Sequence, residues 1–205
     1  MAQSSVNVTE GSGKRLNTWD RTISATLVQD QFMLPGEYPL ATYCVSASAI
    51  STATTDAHLM QIMAGSSLYV RIRRIRVEQL ANAGAANVAA IEVRRVTTAG
   101  SGGTSVTPAP YDSGDSAASA TAQTLPSSKG TEGVVLHRTA LAMRAGLGST
   151  SIFDETWEWV QHPGMKPIII PAGTANGIVI KNTTGIATST VVINVEFVET
   201  AWLGA

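Results

Sequence analysis

The sequence predicts an all-β protein: an antiparallel β-sandwich of jelly-roll type with an extended N-terminal arm. Charged residues make up 14% and aromatic residues 5% of the 205-residue chain. Ala, Ser, Thr, Val and Gly fill much of the rest, and the β-branched residues fall in short runs, as is typical of strands with uncharged polar surfaces. Turn residues separate these runs, and helical periodicity is weak. About eight to ten strands without crossover helices indicate antiparallel pairing.

Residues 1–35 are predicted to form the arm, and residues 36–205 the sandwich domain. The arm is polar and closes on the turn signal Pro35-Gly36. We expect it to have little structure of its own. Trp19 is a large aromatic side chain that a free tail would leave without a contact, so we expect the arm to bind a partner.

Alternation of apolar and polar residues predicts the first four strands of the domain, at residues 38–48, 58–63, 68–80 and 85–96. The third strand changes phase, because Val70 and Ile72 share one face whereas Ile75 and Val77 fall on the other. A bulge near Arg73-Arg74 would return all four apolar residues to one side. Arg71, Arg73, Arg74 and Arg76 then lie on the solvent or partner face.

The strand at 85–96 is predicted as the hairpin partner of 68–80, after the turn signal Asn82-Ala83-Gly84. Arg94 and Arg95 would then widen the arginine-bearing face. An intersubunit ion-pair face suits these guanidinium groups, since they form bidentate bonds with carboxylates. A solvated sheet face explains them equally well.

Residues 97–130 are low in complexity and rich in glycine and proline, which predicts a long surface excursion with one short strand at about 120–125. Alternating or apolar runs after it predict five more strands, at residues 133–143, 156–160, 167–171, 177–181 and 190–199.

Several function classes are disfavoured by composition. The net charge of −1 gives no electrostatic footprint for nucleic acid or an anionic membrane. The longest strongly apolar stretch, Ile168 to Ile170, is too short to span a bilayer, and the N-terminal segment has no apolar signal region. We therefore expect folding in a reducing cytoplasm. The single cysteine, Cys44, excludes an internal disulfide framework and is expected to be a buried, inert thiol.

The best enzyme-like cluster is Asp154, Glu155 and Glu158 beside Trp157 and Trp159. A glycosidase needs two carboxylates and a stacking platform. On a strand, however, Glu158 faces away from both tryptophans, so we interpret the segment as half-buried with one solvated face. A carbohydrate-binding module or glycoside hydrolase remains the alternative from another class.

Metal, phosphate and nucleophile motifs are incomplete. His58, His137 and His162 are isolated in sequence, and Gly11-Ser12-Gly13-Lys14 lacks the residues that complete a phosphate loop. We predict no catalytic residue, no cofactor and no metal ligand within one chain. A metal shared between subunits at a symmetry axis stays open.

Four segments carry a resemblance to a known group: RIRRIRVEQ at 71–79, AAIEVRRVTTAGSGGTSVTPAPYDSGD at 89–115, IIIPAGTANGIVIKN at 168–182 and VINVEFVETAW at 192–202. Their succession resembles phage virion proteins of jelly-roll type, which include capsid decoration, or cement, proteins. The resemblance covers residues 38–202 and rests on the order of strands and turns. It implies a trimer or other small oligomer on the outer face of an icosahedral shell, with no catalytic residues.

We therefore expect a virion structural protein that is made in the host cytoplasm and stabilises the assembled phage head. Its expected partners are the major capsid protein or other virion proteins and further copies of itself, with a trimer favoured, and neither nucleic acid nor membrane. A tail, baseplate or fibre module is the alternative within virion proteins. The candidate partner-binding residues are Lys14, Arg15, Trp19, Arg71, Arg73, Arg74 and Arg76.

Overall fold

A computed structural model describes residues 40–81, 83–85, 87–143 and 155–201, together with the backbone of 3–8, 14–23 and 26–31. The chain divides into two compact units, Met1–Pro39 and Leu40–Ala205. In the first unit, β1 (Gln3–Val8), β2 (Lys14–Ile23) and β3 (Thr26–Gln31) form an antiparallel sheet in that order. The sequence predicted extended backbone here but assigned no sheet to it.

The described residues of the second unit form twelve strands. They are β4 (Thr42–Ser51), β5 (His58–Met63), β6 (Tyr69–Ala81), β7 (Asn87–Val96), β8 (Thr104–Val106), β9 (Ala109–Pro110), β10 (Thr121–Thr124), β11 (Glu132–Met143), β12 (Thr156–Val160), β13 (Ile168–Ile170), β14 (Gly177–Asn182) and β15 (Thr190–Thr200). No helix among the described residues is long and apolar enough to cross a membrane.

These strands form two six-stranded antiparallel sheets, ordered β11-β7-β14-β5-β10-β8 and β12-β6-β15-β4-β9, with β13 also paired to β6. Eight of them give a jelly roll. In chain order they are β4, β5, β6, β7, β11, β12, β14 and β15. When they are numbered from one to eight in this order, the first, eighth, third and sixth lie in one sheet. The second, seventh, fourth and fifth lie in the other. The predicted antiparallel sandwich is confirmed.

A single large apolar cluster lies between the two sheets. β15 supplies it with Val191, Ile193, Val195 and Phe197, all fully buried, because alternate residues of a strand point to the same face. Phe197 stacks on the ring of Tyr43 with centroids 5.5 Å apart. Burial of these β-branched and aromatic side chains is the main stabilising contribution to the sandwich.

The bulge predicted in β6 is confirmed. Glu196 of β15 lies opposite Arg74, and the next residue, Phe197, lies opposite Ile72, so Arg73 is the extra residue. The shift keeps both Ile72 and Ile75 fully buried. A strand without it would turn one of the two isoleucines toward solvent.

The predicted hairpin between residues 68–80 and 85–96 is wrong. β6 lies between β15 and β12, whereas β7 lies in the other sheet between β11 and β14. Both edges of β6 are therefore occupied by strands from the C-terminal half of the chain. Arg94 and Arg95 consequently do not extend the arginine-bearing face of β6.

The excursion at 97–130 extends both sheets, as β8 and β10 at one edge and β9 at another. Buried Glu199 anchors it by accepting hydrogen bonds from the backbone N–H groups of Ser119 and Ala120, at 2.9 and 2.6 Å. The two ends of the excursion meet at Thr98 and Gly130. A Cβ atom on residue 130 would lie 1.9 Å from the carbonyl oxygen of Thr98. Only glycine permits that approach.

Candidate partner-binding face

The outer surface of the sheet β12-β6-β15-β4-β9 carries most of the predicted site residues. We call the part around Arg73, Arg74, Arg76, Glu158 and Glu196 the arginine face. It is built by alternation along three neighbouring strands, whose other residues fill the core. The predicted outward placement of the β6 arginines agrees with their half-buried side chains.

Arg74 is the centre of the arginine face. Its Nε atom donates to Oε1 of Glu158 at 2.6 Å, and Nη1 donates to Oε1 of Glu196 at 3.3 Å. The hydrogen bond to Glu158 raises the pKa of Arg74. Between 25% and 38% of each of these three side chains is exposed, so the ion pairs stay in contact with water.

The flanking arginines are also paired. Arg73 donates to the side-chain amide oxygen of Gln161, and Arg76 forms an ion pair with Glu78 on the same strand. Arg71 lies further along β6 and also makes an interaction. Arg73, Arg74 and Arg76 are therefore each oriented by a hydrogen bond or an ion pair, and a side chain that is already oriented loses less conformational entropy on binding than a mobile one.

Two shallow depressions flank Arg74 and Glu196, with volumes of about 300 and 150 Å³. The larger is bordered by Val160, Gln161, His162 and Pro163, and the smaller by Cys44, Arg76, Tyr111 and Asn194. Apolar side chains are exposed at the rims: Tyr111 by 62% and Val160 by 36%. Tyrosine beside arginine is a composition enriched at protein–protein interfaces.

Cys44 is on this outer surface and only half-buried, whereas its neighbours Tyr43 and Val45 point into the core. The expectation of a buried thiol was wrong in this respect. Partial burial nevertheless raises the pKa of Cys44, which reduces the fraction of reactive thiolate at neutral pH.

The tryptophans of β12 do not join the carboxylates on the solvent side. Trp157 and Trp159 pack against the core, and the ring of Trp157 stacks on His137 with centroids 5.3 Å apart. Glu158 faces outward and pairs with Arg74. Asp154 lies outside the described residues. Glu158 therefore lies on the opposite face of β12 from both tryptophan rings.

The first unit holds the other three predicted contact residues. Lys14, Arg15 and Trp19 all belong to β2, where they lie opposite Val8, Asn7 and Gln3 of β1. The side chains of these three residues lie outside the part of the chain that the structure describes.

A partly buried ionic network on the other sheet was not predicted from the sequence. Glu132 accepts hydrogen bonds from Nζ of Lys181 at 2.9 and 3.0 Å and pairs with Arg94 at 2.8 Å. It also lies 2.9 Å from Nε2 of His58. Glu92, Arg138 and Asp56 extend the network. Its members come from four strands and one loop, so spacing in the sequence gives no sign of it.

Burial and hydrogen bonding set the charges in this network. Burial lowers the pKa of His58 below its usual value, more than the bond to Glu132 raises it. Burial alone would raise the pKa of Glu132, but the bonds from His58 and Lys181 lower it. Glu132 is therefore ionised and His58 neutral at pH 7. Among the residues that the structure describes, no three His, Cys, Asp or Glu side chains form a metal-binding group.

No protein family model matches the chain, and no curated protein or solved structure is detectably similar to it.

Proposed function

We propose that the chain is a phage virion structural protein of the decoration, or cement, type, which binds the assembled head through the arginine face. The observation that carries this proposal is that face itself: a wide sheet surface with fixed arginines, a neighbouring tyrosine and shallow relief. The jelly roll is also a fold of viral capsid domains. The major capsid protein is the expected partner, with other virion proteins and further copies of the chain as additional contacts.

The chemistry of the arginine face suits a protein surface that carries carboxylates. Arg74 has a planar guanidinium group that forms bidentate bonds with carboxylates. It is already oriented by Glu158 and Glu196. Tyr111 offers a large apolar surface with one polar atom. A protein that binds only assembled shells stabilises them by mass action and needs no reactive group for that purpose.

Co-sedimentation with phage heads that lack the protein tests the proposal. Arg74→Ala and Tyr111→Ala are each expected to weaken binding at least tenfold, about 1.4 kcal/mol, as central interface residues do. Lys129→Ala is the control, because Lys129 is an exposed cation outside both the arginine face and β11. Unchanged binding of Arg74→Ala and Tyr111→Ala, or an equal loss in the control, would contradict the proposed use of this face.

The same sedimentation assay with isolated tails separates a head protein from a tail, baseplate or fibre module. We expect the chain to pellet with heads and not with tails. The release temperature of packaged DNA should rise when the chain is added to heads that lack it. A chain that binds heads without raising this temperature would be a surface-binding protein but not a cement.

A further inference from the structure

β11 is the longest edge strand of the two sandwich sheets in the part of the chain that the structure describes. It has 12 residues and pairs with β7 on one side, while no described strand pairs on its other side. The remaining edges are short: β8 has three residues, β9 has two and ends in Pro110, and β12 has five. Short strands and proline prevent pairing with other chains, and β11 lacks both protections.

The two halves of β11 differ. Register shifts occur between Glu132 and Val135 and again between Val135 and His137, and bulges of this kind twist an edge away from a new partner. From His137 to Met143, by contrast, every residue pairs with β7 in regular register. The second half is therefore flat enough to accept another strand.

The regular half is also nearly uncharged. Arg138 is its only lysine, arginine or carboxylate residue, and Ala140 and Ala142 are exposed on the outer face. Val88, which lies opposite Ala142 on β7, is 51% exposed. A long edge with exposed apolar side chains pairs readily with a further strand.

We propose that β11 pairs with β11 of a second copy of the chain, antiparallel about a two-fold axis at Ala140, so that the two sheets become continuous. Ala140 is the midpoint of the regular stretch His137–Met143, so this register uses the whole stretch. It places Arg138 opposite Ala142 of the other copy. An axis at Arg138 would instead bring two arginines face to face, which destabilises a strand pair.

This contact uses the same patch on both copies, as a two-fold interface requires. It does not depend on the proposed binding to phage heads, because β11 belongs to the sheet opposite the arginine face. It also differs from the trimer that the resemblance implies, since a two-fold axis generates a dimer.

Disulfide trapping tests the register. Directly opposed residues of an antiparallel pair have Cα atoms about 4.5 to 5.5 Å apart, within the disulfide range of about 4.4 to 6.8 Å. Ala140→Cys in a Cys44→Ser background is therefore expected to form a covalent dimer on mild oxidation. Val134→Cys in the same background is the matched control, being 68% exposed but distant from the axis. Equal, slow cross-linking of both variants would overturn the proposal.

Charge exchange tests the same contact without a covalent bond. Ala140→Asp and Ala140→Lys place like charges at the axis, so each variant alone is expected to be monomeric by light scattering, while an equimolar mixture forms dimers. Circular dichroism checks that both variants are folded. A wild-type chain that is monomeric at every concentration, or an oligomer that none of these substitutions alters, would refute the contact. Head binding by the monomeric variants then tests the proposed function separately.

Discussion

Replacing Glu132 with glutamine is expected to destabilise the sandwich strongly, because it removes the negative charge that pairs with the buried Lys181 and the partly buried Arg94. Only 8% of the Lys181 side chain and 25% of the Arg94 side chain are exposed. Removing one partner of a buried ion pair costs about 3 to 5 kcal/mol. The lower end applies, since Glu132 is 22% exposed and Asp56 stays 3.1 Å from Lys181.

A loss of about 3 kcal/mol corresponds to a fall in Tm of about 6 to 12 °C for a chain of this size. Thermal unfolding followed by circular dichroism measures it. Glu158→Gln is the matched control, because Glu158 has a shorter bond to Arg74, 2.6 Å, but both members of this pair are more than a third exposed. Exposed pairs contribute about 0 to 1 kcal/mol. If Glu158→Gln lowers Tm as much as Glu132→Gln, the reasoning from burial is refuted.

Three further predictions concern pH, backbone strain and the tryptophans. Because the folded pKa of His58 lies below its unfolded value of 6.5, its contribution to stability is complete above pH 6.5 and is lost as pH falls through the lowered pKa. His58→Gln should make Tm depend less on pH between pH 6.5 and the lowered pKa. Thr188 has φ of 62°, a strained conformation for a β-branched residue, so Thr188→Gly should raise stability by about 0.5 kcal/mol, whereas Ala187→Gly should not. Trp157→Ala should cost about 3 kcal/mol in chemical denaturation, because the ring packs against the core. An unchanged midpoint would contradict that packing.

The strands of the sandwich could be predicted because alternation is a local property of the sequence. β5 and β12 begin and end at the predicted residues, and the bulge in β6 follows from the change of phase at Arg73. Pairing could not be predicted in the same way. β6 pairs with β12 and β15, which lie far along the chain, and no pattern within residues 68–96 shows that β7 belongs to the other sheet.

The same division holds for the candidate site. The phase of β6 predicted that its arginines face outward, but not that Glu158 and Glu196 would meet Arg74 from two other strands.

All six residues of β5 are buried. The polar Gln61 among them accepts a hydrogen bond from the backbone N–H of Gly100 in the excursion. Charged residues within otherwise apolar strands, such as Glu92 and Lys181, were the available signal for the ionic network.

The position of β15 has a consequence for how the protein folds. This strand lies between β4 and β6, and its Val198 pairs with Thr42, which is separated from it by most of the domain's sequence. The sheet cannot close until β15 has been synthesised. Until then, β4 and β6 each have one unpaired edge, and the gap between these edges is the place that β15 later fills. Such long-range pairing slows folding. At high concentration, β15 of another molecule can pair with these two edges instead. We therefore expect a dimer or larger oligomer with exchanged β15 strands as the misfolded product when the protein is refolded from denaturant.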